Sequence, residues 1–319
     1  EPGHLDADFG AVARDRRSNN DHSPNSKESN VSTLKNKTAL ITGCTRGIGL
    51  AIGERCAADG ANIAVIGKTT EPPPKLEGTL YTAAEAIERV GGKALPLACD
   101  IRDPEAVAEA VGKAVETFGG IDIVVNNASA ISPTPTAQTP VKRWDLMHEV
   151  NARGTFVVTQ ACLPYLEKAE DPHILAMSPP LDMREKWFAP HVAYRSSKFG
   201  MSLCILGWAG EIRGRIAANA LWPRTAIATA AISNVLGDER ALAKCRKPEN
   251  IGEAAYRIVT TPVSFTGNFI IDDTLLLNEG VTDLEQYSVE PGSPLLPDFF
   301  VPEEPAAPEG VVLAGSLGH

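Results

Sequence analysis

No apolar run in the 319-residue chain approaches the roughly 20 residues that a membrane-spanning helix needs, so no membrane span is expected. Positive charge is in deficit. Thirty Lys and Arg against 40 Asp and Glu leave a net charge of −10. That balance argues against nucleic acid, or an anionic membrane surface, as the main partner. Cysteine is sparse and unpaired in spacing: Cys44, Cys56, Cys99, Cys162, Cys204 and Cys245 contain no Cys-x-x-Cys unit. Most lie in apolar segments. They read as reduced thiols in a reducing, cytoplasmic compartment, with neither a disulfide frame nor a metal site. Cys44, in a glycine-rich loop, admits two readings, a small filler or a redox sensor. Large apolar residues are almost missing from residues 1–30, and disorder is expected there. That stretch shows no starting Met and no secretory apolar core, and it is too acidic for a mitochondrial transit peptide. The closing Ser-Leu-Gly-His is not a peroxisomal address, so no targeting signal is expected.

What is present is an ordinary globular composition, 43% hydrophobic and 22% charged. From Thr38 short apolar runs alternate with helical patterns. The runs "TALIT", "NIAVIG", "KALPLACD", "IDIVVNN", "HILAMS", "IAANALWP" and "FTGNFIID" read as strands. Between them, "IGLAIGERCAADG", "TAAEAIERVGG", residues 103–120, a long stretch at roughly 141–168 and residues 192–213 read as helices. Asp103 is the expected N-cap of the third, with Pro104 at its first helical position. Alternation of this kind predicts an α/β fold whose parallel sheet carries helices on both faces. Runs apolar throughout, such as "DIVV", suit strands buried on both sides. Residues 281–319 are rich in proline and acid, but "LLPDFF" within them is apolar enough to dock on a neighbour.

Two constellations carry chemistry. "TGCTRGIG" sets Gly43, Cys44, Thr45, Arg46, Gly47, Ile48 and Gly49 between a buried strand and an amphipathic helix. Glycines permit the tight turn and the close approach of backbone to a pyrophosphate. The following helix N-terminus offers free N–H groups and a positive dipole end. The second strand ends "VIGKTT", with no carboxylate to repel a phosphate. Lys68 and Arg46 can reach the 2′-phosphate of NADP there, or stand as two solvated cations. The second constellation is Tyr194-x-x-x-Lys198. Positions i and i+4 share a helix face. A nearby ammonium favours the phenolate, so Lys198 is expected to draw the Tyr194 pKa down from about 10 toward working pH.

Together with "NNAS" (126–129) and Asn151, these motifs resemble the short-chain dehydrogenase/reductase family over about residues 34–280. "GKTTEPPPKLEGTLYTAAEAIE", "NALWPRTAI" and "SFTGNFIID" resemble its hydroxysteroid dehydrogenase-like protein 2 branch, whose animal members carry a C-terminal sterol-carrier domain. The resemblance implies a single Rossmann-like domain over residues 31–280, with a doubly wound, mostly parallel seven-stranded sheet. Residues 281–319 follow as a partly docked tail. It implies that Asp100 bonds the adenine ring and that Asn127 lines the ribose. It further implies that Lys198 holds the nicotinamide ribose and that Asn151 holds a water in a proton relay. Without it, Asp100 and Asn127 read equally as a cap neighbour and a turn residue. The family also implies a homodimer or homotetramer.

The family serine that polarises the substrate oxygen falls on Pro179 by direct matching, with Ser178 one residue early. Ser178 is taken as the candidate. Met183, Trp187 and Phe188, and the lid expected in "LWPRTAIATAAISNVLG", suggest a lipophilic alcohol or carbonyl from lipid metabolism: steroid, terpenoid or fatty-acyl-derived. The same aromatics also suit plain loop packing. Arg224 suits either a substrate anion or a structural salt bridge. The reading is therefore an NADP-dependent oxidoreductase working through Tyr194 and Lys198. The alternatives are a nucleotide-binding scaffold with little turnover, and an epimerase or dehydratase on the same fold.

Overall fold

The computed structural model describes residues 33–72, 77–230, 232–233 and 239–315. The disorder expected of residues 1–30 lies outside them, as do residues 231 and 234–237 of the expected lid. Among the described residues seven strands form one sheet: β1 (Thr38–Thr42), β2 (Asn62–Gly67), β3 (Lys93–Ala98), β4 (Ile123–Asn126), β5 (His173–Met177), β6 (Ala217–Trp222) and β7 (Phe269–Ile271). Their order is β3-β2-β1-β4-β5-β6-β7, and every pairing is parallel. The order reverses between β1 and β4, which opens a crevice at the carboxyl ends of those strands.

Alternation along each strand builds two cores. Ile41, Ile63, Val65 and Leu175 pack on one face with Ile52 and Cys56 of α1 (Gly47–Ala58), Ile87 of α2 (Leu80–Arg89) and Ala255 of α7 (Glu249–Val259). Leu40, Ala64, Ile174 and Ala176 pack on the other with Val107 of α3 (Pro104–Phe118), Val158 of α5 (Gly154–Leu166) and Ile205 of α6 (Val192–Glu211). Each large side chain so buried contributes about 1.5–3 kcal/mol. Asp103 caps α3 by accepting from the N–H groups of Glu105 and Ala106.

Three elements differ from the sequence reading. α2 begins at Leu80, because the Thr79 hydroxyl caps it with Thr82 answering in return. The stretch at roughly 141–168 is α4 (Val141–Met147), a π-helical turn (His148–Arg153) and α5. "FTGNFIID" gives only the three residues of β7, after which α8 (Asp272–Asn278) starts.

Candidate active site

The glycine loop leaves β1 at the reversal point. Gly43 has φ +65°, and a Cβ there would lie 2.9 Å from Ala128 Cα. A Cβ on Gly49 would lie 2.5 Å from both Asn127 Nδ2 and Gly43 O. Arg46 is the N-cap of α1, its side chain makes no capping bond, and the first turn holds no acidic residue. That end suits an anion, so the cradle fits a dinucleotide's pyrophosphate. Thr45 is buried beneath it, and Ile48 packs against the core. The buried Cys44 thiol donates to Gly49 O at 3.3 Å, and burial pushes its pKa far up. Such a thiol is inert, which fits the filler reading. Asn127 Nδ2 donates to Thr42 O (2.9 Å) and Gly43 O (3.1 Å), tying β4 to the loop. Its Oδ1 is the side-chain atom left to face a ligand.

The cations that read as phosphate contacts have local partners. Arg46 donates from Nε and Nη2 to Glu77 O (2.8 Å) and Gly78 O (2.7 Å). Lys68 Nζ lies 3.3 Å from Asp100 Oδ2, but its side chain is 60% exposed and the pair is worth little. Asp100 is clasped by Arg102 at 2.7–3.1 Å, which holds its carboxyl well below the usual range. Arg102 places a third cation on this edge. Its spacing in "CDIRD" was readable, and its grip on Asp100 was not.

Tyr194 and Lys198 stand on α6, and both are buried. Lys198 Nζ donates to Met177 O (2.9 Å), at the end of β5, and lies 5.4 Å from the Trp222 ring centroid. Burial brings its pKa down to about 7, against an upward pull from Asp298. Burial likewise drives the Tyr194 phenol above its ordinary range. Asp298 adds to the rise, while nearby Ser129 and the charge of Arg195 pull it back. The expectation that Lys198 draws the phenol down is thus corrected: desolvation wins, and the lysine is turned toward β5.

Asn151 sits in the π turn and is fully buried. It accepts from Ala130 N (2.8 Å) and donates to Ala130 O (3.0 Å) and Ser197 Oγ (2.9 Å). The amide therefore clamps the loop after β4 to α6. Ser178 Oγ is buried and makes no hydrogen bond. Arg224 is a structural cation. It donates twice to Asp273 at 2.8 Å, to Thr274 Oγ1 (2.9 Å) and to Pro305 O (3.0 Å), with Arg246 3.4 Å from the same carboxylate.

The C-terminal segment supplies what the motifs do not. Residues 295–301 run back across the site as a strap. Ala226 N donates to Leu296 O and Asp298 N to Arg224 O, both at 2.8 Å. Trp222 Nε1 donates to Phe299 O at 2.7 Å. The rings of Phe299 and Phe300 lie 6.4 and 5.6 Å from that of Tyr194, and Phe300 lies 6.3 Å from Trp222. Ile131 and Trp187 complete this apolar box. Phe188 instead packs edge-on against Phe199, and Met183 is exposed. Burial is the main force pushing the Asp298 carboxyl up to about 8. Ser129, Arg195 and the strap are site residues that the sequence reading did not name. Only "NNAS" and "LLPDFF" carried a signal for them.

A parallel sheet with a glycine turn and an open helix N-terminus at its reversal point defines a Rossmann-like dinucleotide-binding fold. The short chain dehydrogenase family model matches residues 37–239. The chain is 56% identical over 278 residues to hydroxysteroid dehydrogenase-like protein 2 of Rattus norvegicus, covering 87% of this chain and 53% of that protein. Identity to the Homo sapiens protein of that description is 54% over 278 residues, covering 87% and 66%. A solved short chain dehydrogenase from Mycobacterium thermoresistibile shares 50% identity at a TM-score of 0.82, covering 88% of this chain and 100% of its own. The chain belongs to the short-chain dehydrogenase/reductase family of oxidoreductases. It spans about half to two thirds of the length of the curated relatives it matches.

Proposed function

We propose that the chain is an NADP-dependent oxidoreductase interconverting a lipophilic alcohol and its carbonyl, of steroid, terpenoid or fatty-acyl origin. The observation that carries this reading is the Tyr194 phenol set among Trp222, Phe299 and Phe300 on α6, whose Lys198 reaches the carboxyl end of β5. NADP, when bound, supplies or accepts the hydride. Tyr194 gives its proton to the carbonyl oxygen in reduction and takes one from the alcohol in oxidation. A phenol held protonated by burial suits the reductive direction. Lys198, its amine brought near neutrality by burial, would hold ribose hydroxyls. Asn151 keeps the loop after β4 in register with α6. Ser178, with a free hydroxyl, is a donor for the substrate oxygen.

The turn from Gly43 to Gly49 holds the pyrophosphate, Asp100 the adenine and Asn127 Oδ1 the ribose. Lys68, exposed just past β2, would hold the 2′-phosphate together with Arg46. The absence of a carboxylate at that strand end supports NADP over NAD. We also infer a homodimer or homotetramer, because Phe156, Leu203 and Leu206 are 46–56% exposed on α5 and α6.

The near-complete burial of Tyr194, 4% exposed, supports a second reading, a nucleotide-binding scaffold with little turnover. One experiment separates them. NADPH and NADH are titrated by tryptophan fluorescence, and carbonyl reduction is followed in wild type and Tyr194→Phe. The enzyme reading expects tighter NADPH than NADH, and at least ~100-fold loss of turnover in the variant with NADPH affinity kept. Equal turnover in Tyr194→Phe removes the mechanism. NADPH binding with no turnover of any lipophilic carbonyl moves the assignment to the scaffold.

A further inference from the structure

Arg195 follows Tyr194 on α6 and is fully buried. Its guanidinium carbon lies 3.9 Å from the Phe199 ring centroid and 4.1 Å from that of Phe300, with Phe188 at 5.6 Å. Aromatic rings satisfy the flat faces of such a cation. They do nothing for its N–H donors, which radiate in the plane. Nε, Nη1 and Nη2 of Arg195 all lack an acceptor. A buried charge in that condition is strongly unfavourable unless an anion joins it.

The carboxylates of this region have other partners. Asp182, whose charge acts on Arg195, accepts from Arg184 on both oxygens at 2.5–3.0 Å. Glu303 accepts from Arg184 (3.0 Å) and Lys186 (2.5 Å). Asp298 accepts through Oδ1 from Phe299 N at 2.6 Å. The position is also tied to the reacting edge. The Phe300 ring that covers Arg195 is the one that faces Tyr194 at 5.6 Å. Asp182 lines a cleft of about 400 Å³ between residues 180–184 and 302–304.

We propose that Arg195 is an anion-recognition residue of the substrate site, and that the substrate carries a carboxylate on its lipophilic body. The planar guanidinium matches a carboxylate bidentately, and the missing partner of Arg195 is that group. The assignment rests on the lipophilic-substrate reading and adds to it a charge of defined sign and place.

The test is calorimetric binding of octanoate and of methyl octanoate to the full chain at pH 7 with excess NADP⁺. Wild type, Arg195→Met and Arg195→Lys are compared, each checked for folding by circular dichroism. The expected result is octanoate bound roughly tenfold or more tighter than its ester in wild type. The preference is expected to vanish in Arg195→Met and to survive in part in Arg195→Lys, which keeps the charge without the fork. Equal binding of acid and ester in wild type overturns the role of Arg195 and leaves the lipophilic reading standing. Binding of neither overturns both. A preference that persists in folded Arg195→Met puts the anion elsewhere and overturns the assignment. If Arg195→Met does not fold, the wild-type comparison and Arg195→Lys decide alone.

Discussion

Burial does most to raise the Tyr194 phenol, and charges other than that of Lys198 adjust it. Asp298, more than a hundred residues further along the chain, pushes the phenol up, and Arg195 pulls it down. On the proposed mechanism reduction needs the protonated phenol, so its rate is expected to fall as pH rises through the phenol's pKa. Removing the Asp298 charge lowers that pKa. In Asp298→Asn the alkaline fall of kcat/KM for carbonyl reduction is therefore expected to move toward lower pH, read from rate profiles of both proteins. An unmoved limb means that the carboxylate does not act on the phenol. Stability gives a second readout. The Asp298 carboxyl rises from an ordinary 3.8 to about 8, so between those values the folded chain holds a proton that the unfolded chain releases. This group's contribution is full at low pH and is lost as pH climbs through about 8. The thermal midpoint of wild type relative to Asp298→Asn is expected to fall across that window. The spacing of Tyr194 and Lys198 made the pair legible in the sequence, because a helix fixes which residues share a face. The direction of their pKa shifts was not legible, because it depends on how far the strap and β5 exclude water.

Asn151 shows how one side chain holds an element in an unusual shape. The π turn from His148 to Arg153 admits an extra residue per turn, and Asn151 bonds sideways to Ala130 and Ser197 there. Asn151→Ala leaves those groups without partners and is expected to cost about 1–3 kcal/mol in urea unfolding. A loss within ~0.5 kcal/mol means that the clamp is not what holds the turn. The strands and most helices were readable from apolar period and capping residues, as Asp103 and Pro104 illustrate. A π turn adds a single residue to a helical repeat, and periodicity does not resolve that. The early end of β7 was hidden too. Asp272 and Asp273 begin α8 because buried partners await them, Arg224 and Asn250 among them, and those partners are distant in sequence.

At the scale of the whole molecule, α5 and α6 leave apolar side chains facing outward. Leu203 and Leu206, three residues apart, share a face of α6, and Phe156 stacks on Trp208 nearby at 6.4 Å. Leu206→Glu is expected to lower the mass measured by light scattering to that of a smaller assembly, with the circular dichroism spectrum unchanged. A wild-type monomer, or a variant of unchanged mass, rejects this face as a contact between copies. The strap has a consequence in time. Chains emerge from the ribosome N-terminus first. A nascent chain that has cleared residue 280 already holds the glycine loop, Asn151, Tyr194 and Lys198. It does not yet hold Asp298, Phe299 or Phe300, which stand against that tyrosine in the finished fold. Until residues 298–300 follow, the apolar floor beside Tyr194 lies open to any chaperone or partner within reach.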